Sequence, residues 1–316
     1  MIGDAMAVRD KAATFRQLIE PLDMTAFVAG VWERRSMVFH GSPERFQGLD
    51  LDFAAFTRAI HHLPPNSIRA NSVESDGTGR YPYIDAADCR HRFEQGQTIC
   101  VTELQTCAPR LLDLARDTHQ ALGLAGTVCV NAYLSPAGRG FGLHFDTQSV
   151  FILQLEGEKH WRYGDGPAVA FPPEGMDACP DAGRQRFRER YPAIALAEPG
   201  ASAWHQCLLR PGDVLYLPPG TWHQGTAGDY SLALTLTCCT HDFSALLTPL
   251  LRETLLRSEP WRRNLPCRAA AQDGRTREAF IADRIVELRQ WAEDLSPPDL
   301  ARLWEELAPA EARARP

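Results

Sequence analysis

Residues 144 and 146 of this chain are His and Asp, separated by one Phe in the run Gly-Leu-His144-Phe-Asp146. On an extended strand residues i and i+2 project to one side, so both side chains can reach a single metal ion. His223 follows Asp213-Val-Leu-Tyr-Leu-Pro-Pro-Gly-Thr-Trp, the pattern of a strand and then a turn, and is the candidate third ligand. Two histidines and one carboxylate on one face leave coordination positions open, as a non-haem Fe(II) oxygenase requires for co-substrate and oxygen. A catalytic zinc with the same donors is the competing chemistry. For the His-x-Asp pair alone, a histidine satisfied by a neighbouring carboxylate is the simpler reading.

Lys159 adds a second kind of group. It sits just after Glu156-Gly157 and alternates with Trp161 and Tyr163 along a strand. An oxygenase using 2-oxoglutarate must hold the far carboxylate of that acid with a cation inside a mostly apolar barrel, and an inward Lys159 would do so. An outward Lys159 would be an ordinary solvated charge, and alternation alone does not choose between the faces.

The elements that must position these residues are β-strands. From Thr127 onward, Val128–Leu134, Val150–Leu155, Lys159–Tyr163, Val214–Leu217 and Leu232–Thr237 are short, rich in β-branched and aromatic residues, and bounded by turn residues. Several strands without intervening helices predict an antiparallel sandwich or barrel. An irregular insert over about 164–203, with Pro172-Pro173 and a charged stretch from Arg184 to Arg190, interrupts the series and is expected over one mouth of the barrel or as a plain surface loop. Before the strands, the stripes Phe27/Val28/Val31/Trp32 and Phe53/Phe56/Ile60 predict helices, 66–79 reads as a loop, and a helix is expected from about Cys107 to Gly123. After His241 the helical period returns in Leu246/Leu247/Leu250/Leu251/Leu255 and in Ile281/Ile285/Leu288/Trp291. Ser296-Pro297-Pro298-Asp299 then reads as a helix start. The expected organisation is a helical N-terminal flank over 1–126, a barrel over 127–241 and a helical C-terminal region over 242–316.

Composition sets outer bounds. The 316 residues carry 33 Lys+Arg against 40 Asp+Glu, a net charge of −7, which argues against a nucleic-acid binder with a basic face. Hydrophobic residues at 44% and charged residues at 23% are ordinary for a folded protein with its own core. The nine cysteines are odd in number, form no Cys-x-x-Cys pair, and follow an N-terminus with charges where a secretory signal would be apolar. They predict reduced thiols in a cytoplasm. The uncharged stretch Thr118–Gly138 is interrupted by Asn131, a proline and glycines, so no membrane span is expected. Gly138-Arg-Gly-Phe-Gly142 looks like a phosphate loop, but no helix follows it to meet a phosphate.

The run from Asn131 to Gly164, NAYLSPAGRGFGLHFDTQSVFILQLEGEKHWRYG, closely resembles the JmjC-type ribosomal oxygenases. The resemblance continues in GDVLYLPPGTWHQ from Gly212, and in FVAGVWERRSMVF from Phe27. It is also seen in FEQGQTICVTELQTCAPRLLDLA from Phe93 and in WRRNLP from Trp261. It implies an α+β chain built on a double-stranded β-helix, the cupin/JmjC jelly roll, with helical flanks. It implies an Fe(II)- and 2-oxoglutarate-dependent dioxygenase that uses O2 to hydroxylate an amino-acid side chain in a ribosomal-protein-like substrate. His144, Asp146 and His223 match the Fe(II) ligands and Lys159 the residue that pairs with 2-oxoglutarate. Asn131 and Thr237 match positions near the co-substrate. Tyr133, on the same side as Asn131 in a regular strand, and Arg139 at the glycine-rich mouth are candidate substrate contacts. A homodimer through the helices after the barrel is expected, with no direct nucleic-acid partner. The insert is longer than usual for the family and the tail leaves little room for a winged-helix module. The same chemistry on a biosynthetic peptide or small molecule therefore stays open, as does a cupin that binds metal without turnover.

Overall fold

Alternation in β5 (Gly126–Pro136) sorts its side chains onto two faces. Val128, Val130, Ala132 and Leu134 are buried, while Cys129, Asn131 and Tyr133 are only partly covered on the other side. The buried face packs on the N-terminal helices, where Phe15, Leu18, Phe27, Phe56, Leu111 and Leu114 complete the main core. These positions belong to a computed structural model that describes residues 13–73, 79–178, 181–199, 203–264 and 274–310.

Among the described residues, eleven strands form one sheet. They are β1 (Met37–Phe39), β2 (Ile68–Val73), β3 (Gly79–Arg80), β4 (Thr98–Val101), β5, β6 (Gly140–Phe145), β7 (Ser149–Gly164), β8 (Met176–Asp177), β9 (Trp204–Leu209), β10 (Val214–Leu217) and β11 (His223–Thr240). The order is β1-β10-β7-β11-β5-β4-β2-β3, with β6 beside β11 and β8, and β9 beside β7. Strands β7 and β11 run antiparallel along their length, from His223 opposite Tyr163 to Cys238 opposite Ser149. Each changes its other neighbour on the way: β7 pairs with β10 through Val150–Leu153 and with β9 through Lys159–Gly164. These two long strands wind the sheet into a double-stranded β-helix, and the fold is α+β with helical flanks.

The expected turn at Glu156-Gly157 is a bend inside one continuous strand. Gly157 has φ 64°, and a Cβ there would meet the Tyr230 carbonyl oxygen at 2.1 Å. The register with β11 shifts at this point, so the two expected strands are the two arms of β7. The stretch 66–79, read as a loop, contains β2, which pairs with β4 from Ile68 opposite Val101 to Asn71 opposite Thr98. Its short alternation, with Ile68 and Ala70 buried, is masked by the polar residues around it. With β1 to β4, the N-terminal flank contributes strands to the sheet as well as helices.

The helix expected from Cys107 spans Pro109–Leu122, with Gly123 at φ 61° as its left-handed cap. Within the insert, Asp181–Arg190 is a helix whose Phe187 is buried against Phe145 and Tyr191. Arg184 and Arg188 pair with Glu198, and Arg190 pairs with Glu174.

The chain divides into two units, Met1–Cys239 and Thr240–Pro316. In the second, helices span Phe243–Arg257, Glu259–Arg262, Gly274–Glu293 and Pro297–Ala310. Asp242 caps the first by accepting from the Ala245 amide, and Trp261 Nε1 donates to Glu287. Of WRRNLP, the last two residues lie outside the described residues, as do Cys179 and Cys267. Among the described residues no helix is long and apolar enough to cross a membrane.

Candidate active site

His144 and His223 stand directly opposite each other on paired strands, β6 and β11. Their ring centroids are 4.2 Å apart. Asp146 lies one residue beyond β6, and its backbone carbonyl accepts from the Gly220 amide at 2.8 Å, which ties the end of β6 to the turn before His223. One donor atom from each of His144, Asp146 and His223 lies within 4.8 Å of the others. The His223 Nε2 to Asp146 Oδ2 distance is 3.6 Å.

Both imidazoles are oriented in the same way. His144 Nδ1 lies 2.7 Å from the Gly142 carbonyl, and His223 Nδ1 lies 2.9 Å from the Thr221 carbonyl. A carbonyl only accepts, so each Nδ1 carries a proton and each Nε2 is left as the nitrogen that can face a metal. Burial, with His144 adding to it, pushes the His223 pKa down to about 4, so this ring is neutral at neutral pH. Two imidazole nitrogens and one carboxylate fit a divalent first-row metal such as Fe(II).

Lys159 faces inward. It is 2% exposed, and its Nζ lies 3.5 Å from Ser135 Oγ and 5.1 Å from the Trp161 ring centre. Among the described residues no carboxylate forms an ion pair with it. Burial pushes its pKa down to about 8. Gly225 makes room for it, since a Cβ there would lie 2.9 Å from Lys159 Cε and 3.0 Å from Trp161.

A cavity of about 390 Å³ connects the triad with Lys159. Val150, Ile152, Phe145 and Trp161 give it apolar walls, and Trp161 Nε1 is a buried donor with no partner among the described residues. Tyr133 lines it too, stacked edge-on against Phe141, which lies parallel to Tyr81 at 6.0 Å. The insert reaches the same cavity. Asp177 on β8 is opposite His144 and lines the mouth, and burial raises the pKa of its carboxyl.

The other sequence candidates lie elsewhere. Asn131 donates through Nδ2 to Thr237 Oγ1 at 3.3 Å and accepts from the Glu103 amide, and neither residue lines the cavity. The hydroxyl residue on that face that does line it is Thr235. Alternation identifies a face and leaves the depth along the strand open, which is why the sequence reading is displaced by one rung. Arg139 is exposed and borders a second, polar groove. Arg69, Tyr81, Cys100, Thr102 and Asp177 carried no chemical pattern in the sequence. They enter the cavity through β2 to β4 and through the insert.

A double-stranded β-helix with a His-Asp-His cluster at one end and a buried lysine beneath it defines a JmjC-type oxygenase domain. A JmjC-domain family profile matches residues 112–246. The chain is 24% identical to the uncharacterized protein YxbC of Bacillus subtilis, over 91% of this chain and 90% of that protein. It is 28% identical to ribosomal oxygenase 1 of Gallus gallus, over 93% of this chain and 50% of that protein. Escherichia coli YcfD, a ribosomal oxygenase solved in complex with cobalt and 2-oxoglutarate, superposes with a TM-score of 0.56 at 19% identity. That match covers 91% of this chain and 71% of that chain. The chain thus carries a JmjC domain, the domain of 2-oxoglutarate-dependent oxygenases, and is similar over most of its length to the ribosomal oxygenases. It spans about half the length of the vertebrate ribosomal oxygenase it matches.

Proposed function

We propose that this chain is an Fe(II)- and 2-oxoglutarate-dependent oxygenase that hydroxylates an amino-acid side chain in a protein of the ribosomal-protein kind. The observation that carries the reading is Lys159: a buried amine with no carboxylate partner among the described residues, in the same apolar cavity as three convergent metal donors. Such a charge calls for an anion inside the cavity. A dicarboxylic co-substrate bound at the metal by one end supplies that anion with the other.

His144, Asp146 and His223 would hold the metal, and the Gly142 and Thr221 carbonyls keep both Nε2 atoms turned toward it. Fe(II), 2-oxoglutarate and O2 together supply the oxidising power, turning a C–H bond into C–OH with release of succinate and CO2. Lys159 binds and orients the far carboxylate. Val150, Ile152, Phe145 and Trp161 exclude water from the reacting centre. Asp177 and the Tyr81–Phe141 pair border the opening through which a side chain would enter.

The test is anaerobic reconstitution with Fe(II), then O2-dependent succinate formation from 2-oxoglutarate with candidate proteins. Mass spectrometry of those proteins should show a gain of one oxygen atom. Metal binding with no succinate formed would support the non-catalytic cupin. Zinc retained with hydrolytic activity would support the zinc enzyme. The insert, which reaches the cavity through Asp177, leaves one second reading, the same oxygenase acting on a biosynthetic peptide or small molecule. Oxygen incorporation into such a compound, and into no ribosomal protein, would establish it.

We further propose the organisation of a sheet-contributing N-terminal flank over 1–126, a barrel over 127–241 and a dimerising region over 242–316. Ile281, Ile285, Val286 and Trp304 are exposed apolar side chains of that last region and support a homodimer. Light scattering at micromolar concentration should give twice the 35.2 kDa chain mass. A reducing cytoplasm suits Fe(II) and the free thiols of Cys89, Cys100, Cys107, Cys129, Cys207, Cys238 and Cys239.

A further inference from the structure

Cys129 on β5 and Cys239 on β11 lie on neighbouring strands of the first unit. The bond from Asn131 Nδ2 to Thr237 Oγ1 marks one rung between these strands, and the Gly138 amide donates to the Ala227 carbonyl further along, so the strands run antiparallel. One step of the period of two beyond Asn131 and Thr237 brings Cys129 and Cys239 together on the same face. The pattern of cover agrees. Cys129, Asn131, Thr237 and Cys239 are all partly exposed, while Val128, Val130, Leu236 and Cys238 are buried on the other side. The Cys129 and Cys239 side chains hydrogen-bond to each other, and the Thr127 side chain bonds to both. Neither cysteine is in a disulfide.

The contact gives the two sulfurs different characters. The bond from Cys239 lowers the Cys129 pKa to about 7, against burial and the nearby Glu103 carboxylate, which raise it. The same bond, with burial and Cys238, raises that of Cys239. Cys89, Cys100, Cys107, Cys207 and Cys238 are all raised, first of all by burial. The thiolate is the reactive form of cysteine, and a partly exposed one is open to an oxidant. Among the described cysteines Cys129 has this character, and Cys239 stands ready to resolve it. Residues opposite each other on antiparallel strands have Cα atoms about 4.5–5.5 Å apart, inside the span of about 4.4–6.8 Å that a disulfide bridges.

We propose that Cys129 and Cys239 form a reversible redox site, which hydroperoxides oxidise to a disulfide between β5 and β11. In the first step the Cys129 thiolate attacks the terminal peroxide oxygen. The O–O bond breaks, Cys129 becomes a sulfenic acid, and the other oxygen leaves as an alcohol, or as water from hydrogen peroxide, after taking a proton. In the second step the Cys239 thiol attacks the Cys129 sulfur, the S–O bond breaks, and the thiol proton leaves with the hydroxyl as water. The two thiols lose two electrons in all and the peroxide gains them. A dithiol reductant restores both thiols by exchange. The disulfide would close the ladder just beyond the Asn131–Thr237 rung, on the face whose Tyr133 and Thr235 line the active-site cavity.

The test uses the full chain, reduced, freed of metal with EDTA, desalted and treated with hydrogen peroxide at neutral pH. Remaining thiols are capped with N-ethylmaleimide, and non-reducing peptide mapping by mass spectrometry reads every cysteine, Cys179 and Cys267 included. A Cys129–Cys239 linkage should dominate the oxidised chain, and dithiothreitol should return both thiols. Cys129→Ser and Cys239→Ser should each abolish the linkage, and Cys238→Ser should leave it in place. In Cys239→Ser, dimedone should trap Cys129 as the sulfenic acid. In the reduced chain iodoacetamide should alkylate Cys129 about tenfold faster than Cys107, and Cys239→Ser should remove most of that difference. Oxidation that falls on other cysteines while Cys129 and Cys239 stay capped overturns the site, as does a chain in which peroxide oxidises no thiol. Either result leaves the oxygenase reading untouched.

Discussion

His144 and His223 face each other across one rung of the β6–β11 ladder, and each holds its Nδ1 against the carbonyl of the residue two before it. The backbone at this rung thus positions and orients two of the three donors. Replacing His223 with Ala should abolish stoichiometric metal binding, a larger loss than the roughly 10–100-fold that removal of an outer partner costs. Metal content after anaerobic reconstitution, measured by mass spectrometry, checks this. His144→Ala and Asp146→Ala should give the same result with the fold retained.

Lys159 combines a cost with a use. Lys159→Met should weaken 2-oxoglutarate binding at least about thirtyfold, corresponding to about 2 kcal/mol or more for a buried charge pair. The same change should stabilise the ligand-free protein by about 1–3 kcal/mol, because an amine held out of water is removed. Calorimetric titration and denaturant unfolding read the two effects separately. Opposite signs mark a residue kept for binding.

The pH dependence follows from the same residue. Burial holds the Lys159 pKa near 8, and a bound carboxylate would raise it. Co-substrate affinity should therefore fall as pH rises through 8, by up to about tenfold per unit. Stability of the ligand-free protein should move the other way. Between about 8 and the ordinary lysine value of 10.5 the unfolded chain binds a proton that the folded chain does not, so this contribution to stability rises with pH across that window. The destabilisation is full below pH 8. Lys159→Met should flatten both profiles.

Thr235 lines the cavity, whereas Thr237 is bonded to Asn131 one rung away. Thr235→Val should raise the 2-oxoglutarate KM by a few-fold, on the scale of about 1 kcal/mol for one lost hydrogen bond. Thr237→Val should leave that KM in place. Steady-state kinetics on the two variants decides between the two positions.

Phe151 is fully buried on the helix-facing side of β7, 4.7 Å from Tyr216 and 5.1 Å from Phe15 between ring centres. Its neighbour Ile152 lines the active-site cavity. Phe151→Ala should cost about 3–5 kcal/mol in chemical denaturation, the usual loss for an aromatic core residue.

The local code of this chain is strong where chemistry and periodicity coincide. His-x-Asp on a strand, a second histidine after a strand and turn, and a lysine on the arm after Glu156-Gly157 were all legible. Each depends on residue type and on a period of two, which are properties of the chain itself. The helix Pro109–Leu122 was legible for the same reason, with an apolar face and a glycine stop. What the sequence left open was decided by register and by long-range pairing. Whether Lys159 faces the core or water depends on which strands flank β7 and on the bare backbone at Gly225. Thr235 reaches the cavity and Thr237 does not because depth along β11 is set by its pairing with β5 to β7, and period two carries no information about depth. Asp177 meets His144 only because a two-residue strand from the insert adds to β6. Residue types specify which reactions are available to this chain, while the tertiary fold specifies which residues share a cavity, because proximity across a sheet is a property of the pairing.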